Sequence, residues 1–216
     1  MSQRSNRPGD EHRRIQPGSA DKPANVIAKA ILDIVAAVPA TNEAASNLPR
    51  ERARTIQATA CLRAAAVSGT LALPPGPLGL VTILPDLAAV WRIQAQMVAD
   101  LAGTYGKTAA LSQEQLLYCL FRHAAAQVVR DLAMRIGERI VFKHVTINAL
   151  QSLARRLGVN ITQRMIAKSV ARWLPIVGAV GVAGYAYYDT AKVGLTAIEL
   201  FEKNVELEAD DEDGDG

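Results

Sequence analysis

Residues 64–85 run for 22 positions without a charge, close to the ~20 apolar residues that a helix needs to cross a bilayer. One straight helix is excluded, because Pro74-Pro75-Gly76-Pro77 lies in the middle of the run. In a helix interior each proline removes a backbone donor and clashes with the preceding turn, at ~3 kcal/mol or more. The reading left is an apolar helical hairpin. One leg, with Leu71 in it, rises through Ala64 to Leu73, the chain turns at the prolines, and a second leg, with Leu80 in it, leaves through Leu78 to Leu84 toward Asp86. Each leg alone is too short to span a bilayer.

A second uncharged run, residues 173–188, echoes the first. It opens on Trp173-Leu174-Pro175-Ile176-Val177, contains Gly178, Gly181 and Gly184, and is followed by Asp189, as the first run is followed by Asp86. The pair reads as a weak internal repeat that sets two broken apolar elements side by side. Asp86 and Asp189 both suit the N-cap of an amphipathic helix, where a short carboxylate accepts backbone N–H groups. A second role is to bind a cation or polar headgroup at the mouth of the two hairpins. Trp91, Trp173, Tyr185, Tyr187 and Tyr188 lie at or near the borders of the runs, where rings would sit at a membrane interface. Arg164, Lys168 and Arg172 recur every four residues and form a basic stripe leading into Trp173, suited to an anionic surface.

Helical spacing dominates the rest of the chain, and no convincing alternating strand pattern interrupts it. The expected fold is all-α, a bundle of about six to eight helices with two apolar hairpins broken by proline and glycine. Helices are expected over 24–38, from about 50 toward 73, and from Asp86 to the glycines Gly103 and Gly106. The next opens on the capping box Ser112-x-x-Gln115 and, with Gly137 as a point of interruption, continues through Ile140 to Arg155 and Arg156, ahead of Gly158. Two more are expected from Asn160 to Trp173 and from Asp189 onward. Residues 24–201 are read as one helical domain. Residues 1–23 are read as a disordered basic tail, and 202–216 as the end of the last helix and a disordered acidic tail.

The formal charge of +3 hides an asymmetry, since 202–216 carries eight acids against Lys203 and 24–201 is left with a net +8. No apolar stretch follows the arginines at the start, so a secretory signal is not expected. Cys61 and Cys119 are too few for a disulfide framework and form no C-x-x-C pair. Localisation is expected in the cytoplasm or on the cytoplasmic side of the inner membrane.

The chain resembles the EcsC family of bacterial proteins. The resemblance rests on Leu73-Pro74-Pro75-Gly76-Pro77-Leu78-Gly79-Leu80, on Leu84-Pro85-Asp86-Leu87, on Tyr105-Gly106, and on Leu174-Pro175-Ile176-Val177-Gly178-Ala179 with Tyr188-Asp189, covering roughly residues 61–201. It implies a helical, membrane-associated protein of unassigned biochemical activity, and brings no catalytic residue with it.

Chemical motifs are few. Gly106-Lys107-Thr108 fails as a phosphate loop, because Leu101 stands where a glycine is needed and the stretch follows a helix. His12, His123 and His144 have no metal-ligand spacing, and there is no nucleophile elbow. No catalytic residue, metal or cofactor is expected. Nucleic-acid binding, with Arg135, Arg139 and Lys143 as a basic stripe, lacks a motif and stacking aromatics. The function expected first is a non-enzymatic module that inserts its hairpins in the cytoplasmic leaflet, over anionic lipid, or assists an integral membrane partner. The alternative is a soluble adaptor whose hairpins form its own core and which binds a protein partner.

Overall fold

The computed structural model describes residues 18–71, 79–136, 139–169, 175–203 and 205–207. Leu73, the turn Pro74, Pro75, Gly76 and Pro77, Leu78, and Arg172, Trp173 and Leu174 lie outside the described residues, as do 1–17 and 208–216. Six helices carry the fold: α1 (Gly18–Ala36), α2 (Pro49–Leu71), α3 (Gly79–Thr104), α4 (Gln113–Val129), α5 (Ile147–Ser169) and α6 (Pro175–Glu202). The expected all-α class holds.

One apolar core joins them. Ile27, Ile31 and Val35 of α1, Val98 and Leu101 of α3, Leu116, Leu117 and Leu120 of α4, Leu157 of α5, and Val193 and Leu200 of α6 are all buried in it. Full burial of such side chains stabilises by roughly 1.5–3 kcal/mol each. Trp91 meets Phe121 edge-on at 5.3 Å between ring centres, and Tyr118 meets Phe142 at 5.4 Å. Trp91 is therefore a core residue rather than an interfacial ring.

Helix ends follow local chemistry. Ser112 caps α4, its hydroxyl accepting from the Gln115 N–H at 3.3 Å. Gly106, at φ 67°, ends α3 in a left-handed turn, where the Lys107 N–H reaches the Ala102 carbonyl at 2.8 Å. Lys107 donates its ammonium to the Lys203 carbonyl at 2.6 Å, which gives the failed phosphate-loop lysine a structural partner.

Four expectations are corrected. First, α4 does not continue past residue 129. It is non-helical at Ala125, passes through a tight turn at Arg130–Leu132, and gives way to β1 (Ala133–Ile136) and β2 (Arg139–Phe142), an antiparallel pair with Ala133 opposite Phe142. β3 (Val205–Leu207) adds to β2 in parallel. Arg135 and Arg139 thus sit on two strands, and the every-fourth-residue stripe they formed with Lys143 does not exist.

Second, α5 runs straight through Gly158 and Asn160. A Cβ at Gly158 would stand 2.3 Å from the Ala24 carbonyl oxygen, so this glycine permits contact between α5 and α1 instead of ending a helix. Third, α3 begins at Gly79 and includes Pro85 and Asp86 in its interior. Fourth, α6 is continuous from Pro175 to Glu202 and includes Asp189, so the second apolar run is one helix there rather than a hairpin. Neither aspartate is an N-cap.

Candidate functional site

Contacts along α6 fix how the apolar runs meet. Arg50 forms a bidentate pair with Glu202, both bonds 2.8 Å; Gln57 donates to the Ala191 carbonyl at 2.8 Å; and Ala64 packs with Ala186 and Val90. α6 is therefore antiparallel to α2 and parallel to α3. A Cβ at Gly194 would lie 2.7 Å from Gln57, so the helices approach closely at this level. From Ala64, Val90 and Ala186 onward, α2 continues for about 10 Å to Leu71, and α3 and α6 extend about 16 Å back to Gly79 and Pro175, at 1.5 Å per residue. The two uncharged runs thus emerge together at one end of the molecule. Leu71, Leu80, Pro175, Ile176 and Val177 lie on this part of the helical backbone.

The described part of this end is open. Val180 is 74% exposed, Tyr185, Tyr187 and Tyr188 are exposed, and a Cβ at Gly181 or Gly184 would meet nothing within 4 Å. Glycines that served close helix packing would sit against a neighbour, as Gly158 and Gly194 do. Among the described residues no helix is long and apolar enough to cross a membrane.

Cations surround the base of this end. Arg63 immediately precedes Ala64, Arg92 follows Val90 by two residues, and both are exposed. Arg164 of α5 is exposed and close enough to Tyr185 to act on it. The Tyr185 phenol is pushed above its usual range by burial first and by Asp189 second, and Arg164 pulls the other way. Lys192 lies 5.3 Å from the Tyr188 ring centre. Lys168 is on α5, one turn beyond Arg164.

Below this collar lies a polar cluster that the sequence reading missed. The Asp189 carboxylate is 2.6 Å from His123 Nε2 through one oxygen, and accepts from Gln94 Nε2 at 2.8 Å through the other. Gln94 Nε2 is also 3.1 Å from the Thr190 hydroxyl. Gln94 and Thr190 are fully buried, so the cluster locks α3, α4 and α6 together at a point where an unpaired carboxylate would be costly. Gln94 Oε1 and His123 Nδ1 are buried without a hydrogen-bond partner. The signal in the sequence is Gln94 itself, a polar residue in the apolar stripe Val90, Trp91, Ala95, Val98. Asp86 lies on α3 eight residues before Gln94, about 12 Å along the helix.

Among the described residues no group of three or more His, Cys, Asp or Glu could hold a metal ion. Cys61 and Cys119 are buried, and burial raises both thiols, which suits packing rather than nucleophilic chemistry. No protein-family model, curated protein or solved structure matches this chain.

Proposed function

We propose that this protein is a non-enzymatic membrane-surface module of the EcsC type, which docks the shared apolar end of α2, α3 and α6 into the cytoplasmic leaflet, alone or beside an integral membrane partner. The observation that carries the reading is one face of α6 between Val180 and Tyr188, where an exposed valine, two open glycines and exposed tyrosines occupy a run without charge. Contiguous exposed apolar surface marks a place where something else binds. Three further features support lipid. The uncharged part of α6, residues 175–188, amounts to about 21 Å of helix, less than the ~30 Å hydrocarbon core, which suits one leaflet. Tyrosines suit the headgroup boundary. Arg63, Arg92 and Arg164 sit where anionic headgroups would lie, at roughly 1 kcal/mol for each cation near such a surface.

Vesicle flotation tests the reading. The full chain should rise with vesicles containing anionic lipid at low salt, and Val180→Asp combined with Tyr187→Asp should leave it at the bottom of the gradient. Wild-type protein that stays with the buffer would overturn the proposal.

A further inference from the structure

A cleft of about 410 Å³ runs between α2 and α3, directly below the apolar end. Its walls differ from end to end. Arg63 and Arg92 stand at the end nearer the uncharged runs, on facing helices, and neither has an ion-pair partner among the described residues. The far end holds two acids that already have partners. Glu43 is bonded by the Arg52 guanidinium at 2.6 and 3.0 Å, and Asp100 accepts from Thr41 at 2.6 Å and from Gln96 at 2.9 Å.

Between the two ends lie the Thr55 and Thr59 hydroxyls. Both donate to their own helix, to the carbonyls of Glu51 and Thr55, which leaves their oxygens to accept. A ligand that fits these walls carries an anion at one end and hydroxyl donors at the other. Carboxylates repel the anion from the far end, so the arginines fix its direction.

We propose that this cleft binds a phosphodiester with a hydroxyl-bearing headgroup, the chemistry of phosphatidylglycerol. Arg63 and Arg92 take the phosphate, and the headgroup hydroxyls donate toward Thr59, one turn from Arg63. In this orientation the acyl chains leave the cleft on the side of the apolar end, continuous with the surface that docks in the leaflet. The lipid source rests on the membrane reading above; the phosphate-ester chemistry of the cleft does not.

Two measurements keep the readings apart. Flotation compares vesicles with equal mole fractions of phosphatidylglycerol or phosphatidylserine, and the arginine side-chain NMR signals are followed as soluble sn-glycerol 1-phosphate is added. Wild-type protein should prefer phosphatidylglycerol by about tenfold, the scale of one or two charge-assisted hydrogen bonds. Arg63→Gln/Arg92→Gln should float more weakly on both lipids, because two cations are gone, and should no longer prefer phosphatidylglycerol, while glycerol phosphate should shift the Arg63 and Arg92 signals of the wild type. Both arginines are exposed, so the variant keeps its fold, and its helical circular dichroism confirms this. Equal flotation on both lipids, or a preference that survives in the double variant, overturns the cleft proposal while the membrane reading stands. Signals that shift in a protein that never floats assign the cleft to a free phosphate ester and overturn the membrane reading instead. Signals that stay still, with no lipid preference, overturn the site altogether.

Discussion

Asp189 joins α3 and α4 to α6 through one carboxylate. Its carboxylate takes hydrogen bonds from two other helices, and its removal would leave His123 Nε2 without its acceptor and the Gln94 amide with Thr190 alone. Asp189→Asn places an amide N–H₂ against one of those donors, and urea denaturation should show a loss of about 1–3 kcal/mol. A loss below about 0.5 kcal/mol, ordinary for a surface substitution, would show that the cluster holds nothing together. The acids at the opposite end govern the response to pH. Hydrogen bonds from Arg50 hold the Glu202 carboxyl below its ordinary 4.5, and Arg52 does the same to Glu43 and Lys203 to Glu199. Because the folded values are lowered, the stability they contribute is complete above 4.5 and is lost as pH falls through the folded values. The melting temperature should be flat near neutral pH and fall below 4.5, and Glu202→Gln should flatten that fall. These pairs are largely exposed, so each is a modest term. Neither feature was legible one residue at a time: Asp189 looks like a cap by its neighbours in sequence, and its partners come from residues 66 and 95 positions away.

At the scale of elements, the 3.6-residue spacing located α1, the body of α2, and the ends of α3 and α4 that carry glycine or serine signals. It failed where two patterns overlap. Residues 133–142 offer Met134, Ile136, Ile140 and Phe142 at spacings that fit helix and strand alike, and four-residue strands are too short for alternation to stand out. What decides is tertiary: Phe142 is fully buried against Tyr118, and β3 pairs with β2 from more than sixty residues away. Gly158 misled in another way, since a glycine after two arginines has the look of a helix end, while its cause here is the backbone of α1. Gly158→Ala must move Ala24 or shift α5, and overpacking of this kind costs roughly 1–3 kcal/mol, readable as an earlier thermal transition. Gly184→Ala, which meets nothing, should leave the transition unchanged or raise it slightly.

On the scale of the whole molecule, the distribution of charge and grease along the helices is what points to a membrane. The uncharged runs were legible from the sequence, and so was the expectation that they lie side by side. The sequence did not show that α6 runs unbroken through residues 175–188, because proline and glycines there read as breaks, whereas Pro175 is the first residue of α6 and costs that helix no hydrogen bond. Residues 208–216 carry six acids and lie past β3, so a chain ending at Leu207 keeps its small sheet. That truncation should bind anionic vesicles several-fold more tightly at low salt, with the difference shrinking as salt is added. Equal affinity would show that the tail does not compete for the arginines.

The central claim is that the open face of α6 between Val180 and Tyr188 sits in lipid, and a spin label at Val180→Cys tests it most directly. Cys61 and Cys119 are buried, so the label goes to the new site. On addition of phosphatidylglycerol vesicles, the label should gain collisions with oxygen and lose them with a water-soluble nickel complex, while a label at Glu51→Cys, exposed at the far end of α2, stays in water. A Val180 label that remains as accessible to the nickel complex with vesicles as without them would contradict the account.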